Sequence, residues 1–203
     1  VIALSVGEPD WNTFAPIVST GIAAIKEGFT KYVPAAGIPE LRKAVAKDTN
    51  KHLNLDYTMN NVTVSAGAKF VLFAALQALI DEGDEVVIPA PYWVSYPEMV
   101  KLAGGTPVFI EGKPDNGFRI QAKQIAEVIT PKTKAILLNS PSNPTGQSYT
   151  PAEWKSIGDV LNANDRVCVI SDDIYNRLVF SGDDRAPHLL QSCPELKNRT
   201  VVI

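Results

Sequence analysis

The sequence predicts an α/β fold, a mostly parallel sheet sandwiched by helices, with an N-terminal arm ahead of it. Three observations carry this. From about residue 62 onward, short apolar runs alternate with longer segments of helical spacing, the pattern of βαβ units. Several runs are continuously apolar, such as AILL at 135–138 and VCVI at 167–170, as in strands covered on both faces. No internal repeat, low-complexity tract or long linker interrupts the pattern.

The elements follow in order. Residues 1–5 form a short apolar segment, and Gly7, Glu8, Pro9 and Asp10 form a turn cluster. Ile17, Val18, Ile22 and Ile25 have helical spacing over 16–26. A loop at 32–37 leads to Pro39, which suits the first turn of a helix running to about residue 52. Strands are expected at 62–65, 85–89, 107–110, 134–139, 167–171 and from 200 onward. Helices are expected at 69–80, 93–103, 122–129 and 151–161. The last has Thr150 as N-cap, Pro151 in the first helical position and Glu153 completing a capping box. Residues 175–180 read as a short strand or an extended loop. The first 15 residues carry no helix of their own and are expected to form an arm or part of a second domain, with 16–203 forming the large domain, incomplete at its C-terminus.

Bulk composition narrows the function. The 203 residues carry a formal net charge of −3, which gives no reason to expect nucleic acid or an anionic membrane as partner. With 45% hydrophobic residues the chain can bury a sizeable core. No apolar stretch approaches the roughly 18 residues that span a bilayer. Val1 opens an apolar run without a basic leader, so no signal peptide is expected. The absent initiator Met leads us to expect that the chain starts inside a longer protein; a cytoplasmic location is a separate expectation. Cys168 and Cys193 make no disulfide framework, and Cys168 is expected to be a buried core thiol. His52 and His188 are too far apart in sequence for metal-ligand spacing.

Ligands of open α/β sheets bind outside the carboxyl ends of the strands, so the loops there are read for chemistry. Ser65, Ala66, Gly67, Ala68 and Lys69 precede a helix. Small residues let backbone N–H groups close on an anion, although they also serve close helix packing. Tyr92 and Trp93 follow a strand end, where one could stack on a planar ring or both could pack in the core. Asn143 lies in a proline-rich turn between Pro141 and Pro144, presenting an amide or simply closing a loop. Asp172 ends an apolar strand with Tyr175 three residues on. It can pair with a buried cation, cap a helix or face solvent. There is no GxGxxG and no nucleotide P-loop.

Taken together, these loops meet the demands of pyridoxal 5'-phosphate. Its phosphate needs N–H donors, its ring a stacking partner, its O3′ an amide or hydroxyl, and its ring nitrogen a carboxylate that keeps it protonated as part of an electron sink.

The motifs SVGEPD (5–10), TKYVPAAGIPELRKAV (30–45), SAGAK (65–69), PYWVSYPEM (91–99), NSPSNPTG (139–146) and SDDIY (171–175) resemble those of class I, fold-type-I pyridoxal-phosphate aminotransferases. The similarity is greatest to bacterial-type aspartate aminotransferases and covers nearly the whole chain. The resemblance implies that Gly67, Ala68 and Lys69 hold the phosphate, Trp93 stacks on the ring, Asn143 and Tyr175 meet O3′, and Asp172 meets the ring nitrogen. It implies that Tyr32 reaches the cofactor of a second subunit, hence a homodimer with shared sites. It also implies that Gly7, Trp93 and Asn143 face the substrate, and that the bonds before Pro91 and Pro144 are cis. The Schiff-base lysine and the arginine for the substrate carboxylate are expected beyond Ile203. The implied reaction is amino transfer from an amino acid, with aspartate foremost, to a 2-oxo acid. Prephenate, aromatic donors, or a non-catalytic cofactor-binding module remain as alternatives.

Overall fold

The computed structural model describes Gly7 and residues 11–203. The expected apolar segment at 1–5, and the turn cluster apart from Gly7, lie outside the described residues. Five parallel strands make one sheet: β1 (Glu85–Ala90), β2 (Thr106–Glu111), β3 (Thr133–Asn139), β4 (Cys168–Asp172) and β5 (Thr200–Val202). Their order across the sheet is β2-β1-β3-β4-β5.

The helices are α1 (Ala15–Lys26), α2 (Pro39–Leu53), α3 (Ala68–Leu79), α4 (Ser95–Leu102), α5 (Ala122–Val128), α6 (Pro151–Asn162) and α7 (Leu189–Ser192). They cover both faces, because side chains of a strand point alternately up and down. Val87, Ile136, Leu138 and Val169 pack on one face with Ile125 of α5, Trp154, Ile157 and Leu161 of α6, and Leu189 of α7. Val86, Ile88, Ala135, Leu137 and Ile170 pack on the other with Leu72 and Leu76 of α3 and Val100 of α4. Two cores on one sheet explain why β1, β3 and β4 read as unbroken apolar runs.

Helix ends behave as their residues dictate. Pro39 occupies the first turn of α2, and Asn54 closes that helix in the left-handed conformation at φ 54°. At α6, the Glu153 N–H donates to Thr150 Oγ1, and the Thr150 N–H donates to Glu153 Oε2 at 2.8 Å. Helix α1 stands apart from both cores. None of its residues is buried, and Ile17, Ile22 and Ile25 remain exposed.

Four expectations need correction. Residues 62–65 are not a strand: the Val64 N–H donates to the Ala36 carbonyl at 2.9 Å, and no described strand lies beside them. Residues 175–180 are not a strand: Asn176 and Leu178 N–H groups fold back to the Asp173 and Tyr175 carbonyls as turns over 174–177, and an irregular loop follows. Helix α4 starts at Ser95, two residues late, since the Tyr96 N–H first closes a turn on the Trp93 carbonyl. Cys168, at the entry of β4, is only half-buried; Cys193 is the fully buried thiol, under α6.

Leu137 is the fully buried centre of β3. In the full-length protein, Leu137→Ala is expected to cost about 2–5 kcal/mol. Thr150→Ala, which removes one helix cap, should cost about 1 kcal/mol. Urea unfolding of the two variants checks the ranking.

Candidate active site

The carboxyl ends of β1, β3 and β4 deliver three loops to one cleft. Its volume is about 1080 Å³, and its lining includes Gly7, Gly67, Ala68, Lys69, Trp93, Asn143, Asp172 and Tyr175. Of the residues to which the resemblance gives a role at the site, only Tyr32 stays away from it. Tyr32 lies fully exposed in the loop between α1 and α2.

One wall is the N-terminus of α3. Gly67 caps it at φ +82°, a conformation that favours glycine, and a Cβ there would meet nothing within 4 Å. No side chain caps this helix. The N–H groups of Ala68, Lys69 and Phe70 have no acceptor among the described residues. Three free donors at the positive end of a 12-residue helix form a ready anion cradle.

The second wall is aromatic. Tyr92 stacks on Phe109 at 5.1 Å between ring centroids, so the first aromatic of the pair is spent on packing. Trp93 faces the cleft. Lys69 Nζ sits 4.9 Å from its ring centroid, and Tyr96 meets it edge-on at 5.4 Å.

The floor is Asp172, 4% exposed at the end of β4. Tyr96 Oη donates to its Oδ2 at 2.6 Å, and the Ile174 N–H donates to its Oδ1 at 3.2 Å. Burial pushes the Asp172 carboxyl above the ordinary carboxylate range; the two hydrogen bonds pull it back, and neighbouring Asp173 adds to the rise. Burial and the nearby Asp172 charge hold Tyr96 protonated. Tyr96 was not foreseen. Its spacing of three residues from Trp93 places it beside the indole, but no local signal ties its hydroxyl to Asp172.

The turn after β3 completes the site. The bonds before Pro91 and Pro144 are cis as expected, and so is the bond before Pro141, which was not foreseen. The Asn143 N–H donates to Asn139 Oδ1 at 2.7 Å, leaving its side-chain amide without a partner among the described residues. Tyr175 is half-buried, and its hydroxyl has no partner among the described residues.

A second polar cluster lies behind Asp172. Ser171, Asp173 and His188 are all buried and in contact, as a nucleophile, acid and base would be. The proton order rules that use out. The Leu190 N–H donates to His188 Nδ1 at 3.0 Å, so the ring proton sits on Nε2, which faces Ser171 Oγ at 3.1 Å and Asp173 Oδ2 at 3.3 Å. Ser171 Oγ donates to Asp173 Oδ1 at 2.7 Å. No nitrogen is left to take the serine proton. The cluster instead ties the start of α7 to the end of β4.

A family model for class I and II aminotransferases matches residues 1–203. The chain belongs to that family. It is 48% identical over all 203 residues to an aspartate aminotransferase of Geobacillus stearothermophilus, of which it covers 51%. It is 47% identical to a probable aspartate/prephenate aminotransferase of Rhizobium leguminosarum bv. phaseoli, of which it covers 50%. Among solved structures, an aspartate aminotransferase from Rhizobium meliloti matches 97% of this chain and 49% of its own at a TM-score of 0.93 and 41% identity. An aromatic aminotransferase from Pyrococcus horikoshii OT3 matches all of this chain and 53% of its own at a TM-score of 0.93 and 33% identity. The chain thus spans about half the length of the curated relatives it matches.

Enzymes of this family depend on pyridoxal phosphate, and the residues present fit it. Among the described residues the chain offers free N–H donors for a phosphate, a half-buried indole on the cleft wall, an unpartnered amide and a buried carboxylate around one cleft. Lys69 is the only lysine lining that cleft among the described residues, and it stands at the anion cradle.

The raised carboxyl of Asp172 makes a signed prediction. Ionising it costs more in the folded state than in the unfolded one, and this cost is present above the folded value and absent below the ordinary value of 3.8. Asp172→Asn is therefore expected to raise the urea midpoint of the cofactor-free full-length protein at pH 7. The gain should shrink as the pH falls toward the ordinary carboxylate range.

Proposed function

We propose that this chain is the cofactor-binding portion of an aminotransferase that moves an amino group from an amino acid, foremost aspartate, to a 2-oxo acid. The observation that carries the reading is Asp172, a buried carboxylate aimed into the same cleft as Trp93, Asn143 and the open N-terminus of α3. A carboxylate kept from water at such a position asks for a cation, and a protonated pyridine nitrogen is one.

When bound, pyridoxal phosphate supplies an electron sink for the substrate's α-carbon. The N–H groups of Ala68 and Lys69, with Gly67 beside them, hold its phosphate. Trp93 covers one face of the ring and excludes water there. Asn143 Nδ2 and Tyr175 Oη donate to O3′. Asp172 holds a proton at the ring nitrogen, while Tyr96 Oη fixes the orientation of the carboxylate. Gly7, Trp93 and Asn143 border the substrate. The lysine that would hold the cofactor covalently is, by the family resemblance, expected beyond Ile203.

The fully exposed Tyr32 supports a homodimer in which it reaches the partner's cofactor. Residues 1–15 are assigned to an arm or part of a second domain, and a cytoplasmic location is part of the proposal. Among the described residues no helix is long and apolar enough to cross a membrane.

The test uses full-length protein. It is expected to bind pyridoxal phosphate with a visible absorption band that bleaches on adding aspartate as the matching 2-oxo acid appears. Trp93→Ala should weaken cofactor binding about tenfold. The 203-residue chain alone should show no turnover. Absence of any chromophore in the full-length protein contradicts the reading. The relatives named for prephenate and aromatic amino acids support a second reading of substrate, which a panel of amino donors and acceptors separates.

A further inference from the structure

We infer that Asn139 is a positioning residue that locks the Asn143 turn to the backbone of Asp172, and so to the strand end that carries its carboxylate, an inference that rests on the reading of the cleft given above. Asn139 ends β3 and lies in register with Asp172 at the end of β4. Its side chain uses both of its polar ends. Nδ2 donates to the Asp172 carbonyl at 2.8 Å, and Oδ1 accepts the Asn143 N–H at 2.7 Å.

Asn139 lies outside the cleft lining. It borders a separate cavity of about 30 Å³ behind the turn, shared with Tyr96, Ser142 and Asn143. It therefore acts on a ligand only through its neighbours. The turn it holds has few bonds of its own, since Pro141 and Pro144 lack N–H groups. Its backbone bonds, Ser142 N–H to the Gln147 carbonyl and Gly146 N–H to the Ser142 carbonyl, close the turn on itself. Among the described residues the Asn139 side chain is the only hydrogen-bonded link from this turn to the end of β4.

The residue type follows from the geometry. One end must donate to a carbonyl while the other accepts from an N–H, which an amide does and a carboxylate or an alkyl group does not. Without the link, the amide that meets O3′ and the carboxylate that meets the ring nitrogen shift independently. A misplacement of about 1 Å at a reacting centre costs about a hundredfold in rate.

The experiment compares Asn139→Ala, Asn139→Asp and Ser140→Ala in the full-length holoenzyme. Ser140 Oγ accepts the buried Tyr149 N–H under the same turn at 3.3 Å but bonds to neither Asn143 nor Asp172. Both Asn139 variants are expected to weaken pyridoxal phosphate binding, measured by equilibrium dialysis, about tenfold or more. They should also lower kcat more than they raise KM for the amino donor. Ser140→Ala should lower the melting temperature while leaving cofactor affinity and kcat within about twofold of the native protein. The isosteric Asn139→Asp carries the comparison if Asn139→Ala does not fold. The inference is overturned if the Asn139 variants lose melting temperature like Ser140→Ala yet keep native cofactor affinity and kcat. If the native full-length protein itself binds no pyridoxal phosphate, the reading of the cleft fails first and the inference falls with it.

Discussion

The site is built around one costly group, the buried carboxylate of Asp172. An apolar strand, covered by helices on both faces, carries it out of water, and the chain then holds it with a tyrosine hydroxyl and a backbone N–H. Burying a charge without a full partner is unfavourable, so the position makes sense as half of an interaction. In the proposed function the other half would be the protonated nitrogen of a pyridine ring. Trp93, Asn143 and the end of α3 are arranged around the space where that ring fits.

Parallel topology explains why these groups meet. All five strands point the same way, so β1, β3 and β4 release their loops at one edge of the sheet. Helices α3 and α4 pack on one face and bring the cradle and the indole to that edge. The Ser171, Asp173 and His188 cluster behind β4 and the amide of Asn139 beside it fix the strand end from two sides. Rigidity here comes from buried strands and satisfied polar groups, while the ligand-facing donors are left open.

Much of this was legible in the sequence. Apolar runs located every described strand that belongs to the sheet, because burial on both faces leaves few polar residues in them. The loops read for chemistry singled out Gly67, Asn143, Asp172 and the pair Tyr92 and Trp93, because small, amide, acidic and aromatic residues each suit one part of the cofactor; only the family resemblance chose Trp93 within the pair, and the structure brings Gly67, Trp93, Asn143 and Asp172 to one cleft. What could not be read was pairing across the chain. Residues 62–65 look like a strand, but a strand needs a neighbour, and none of the described strands lies beside them. Tyr96 read as part of an amphipathic helix, since nothing local says that its hydroxyl meets a carboxylate 76 positions away. Asn139 read as the last residue of a strand, and only its two bonds reveal it as a link. The proton order at His188 depends on the Leu190 N–H, a backbone contact that no side-chain pattern announces.

The central claim is that Asp172 keeps a pyridine nitrogen protonated inside this cleft. Nitrogen NMR of full-length protein loaded with pyridoxal phosphate labelled at the ring nitrogen tests it directly. The account predicts a protonated ring nitrogen at neutral pH in the native protein and a neutral one in Asp172→Ala. A neutral nitrogen in the native protein, or one that stays protonated when Asp172 is replaced, would contradict it.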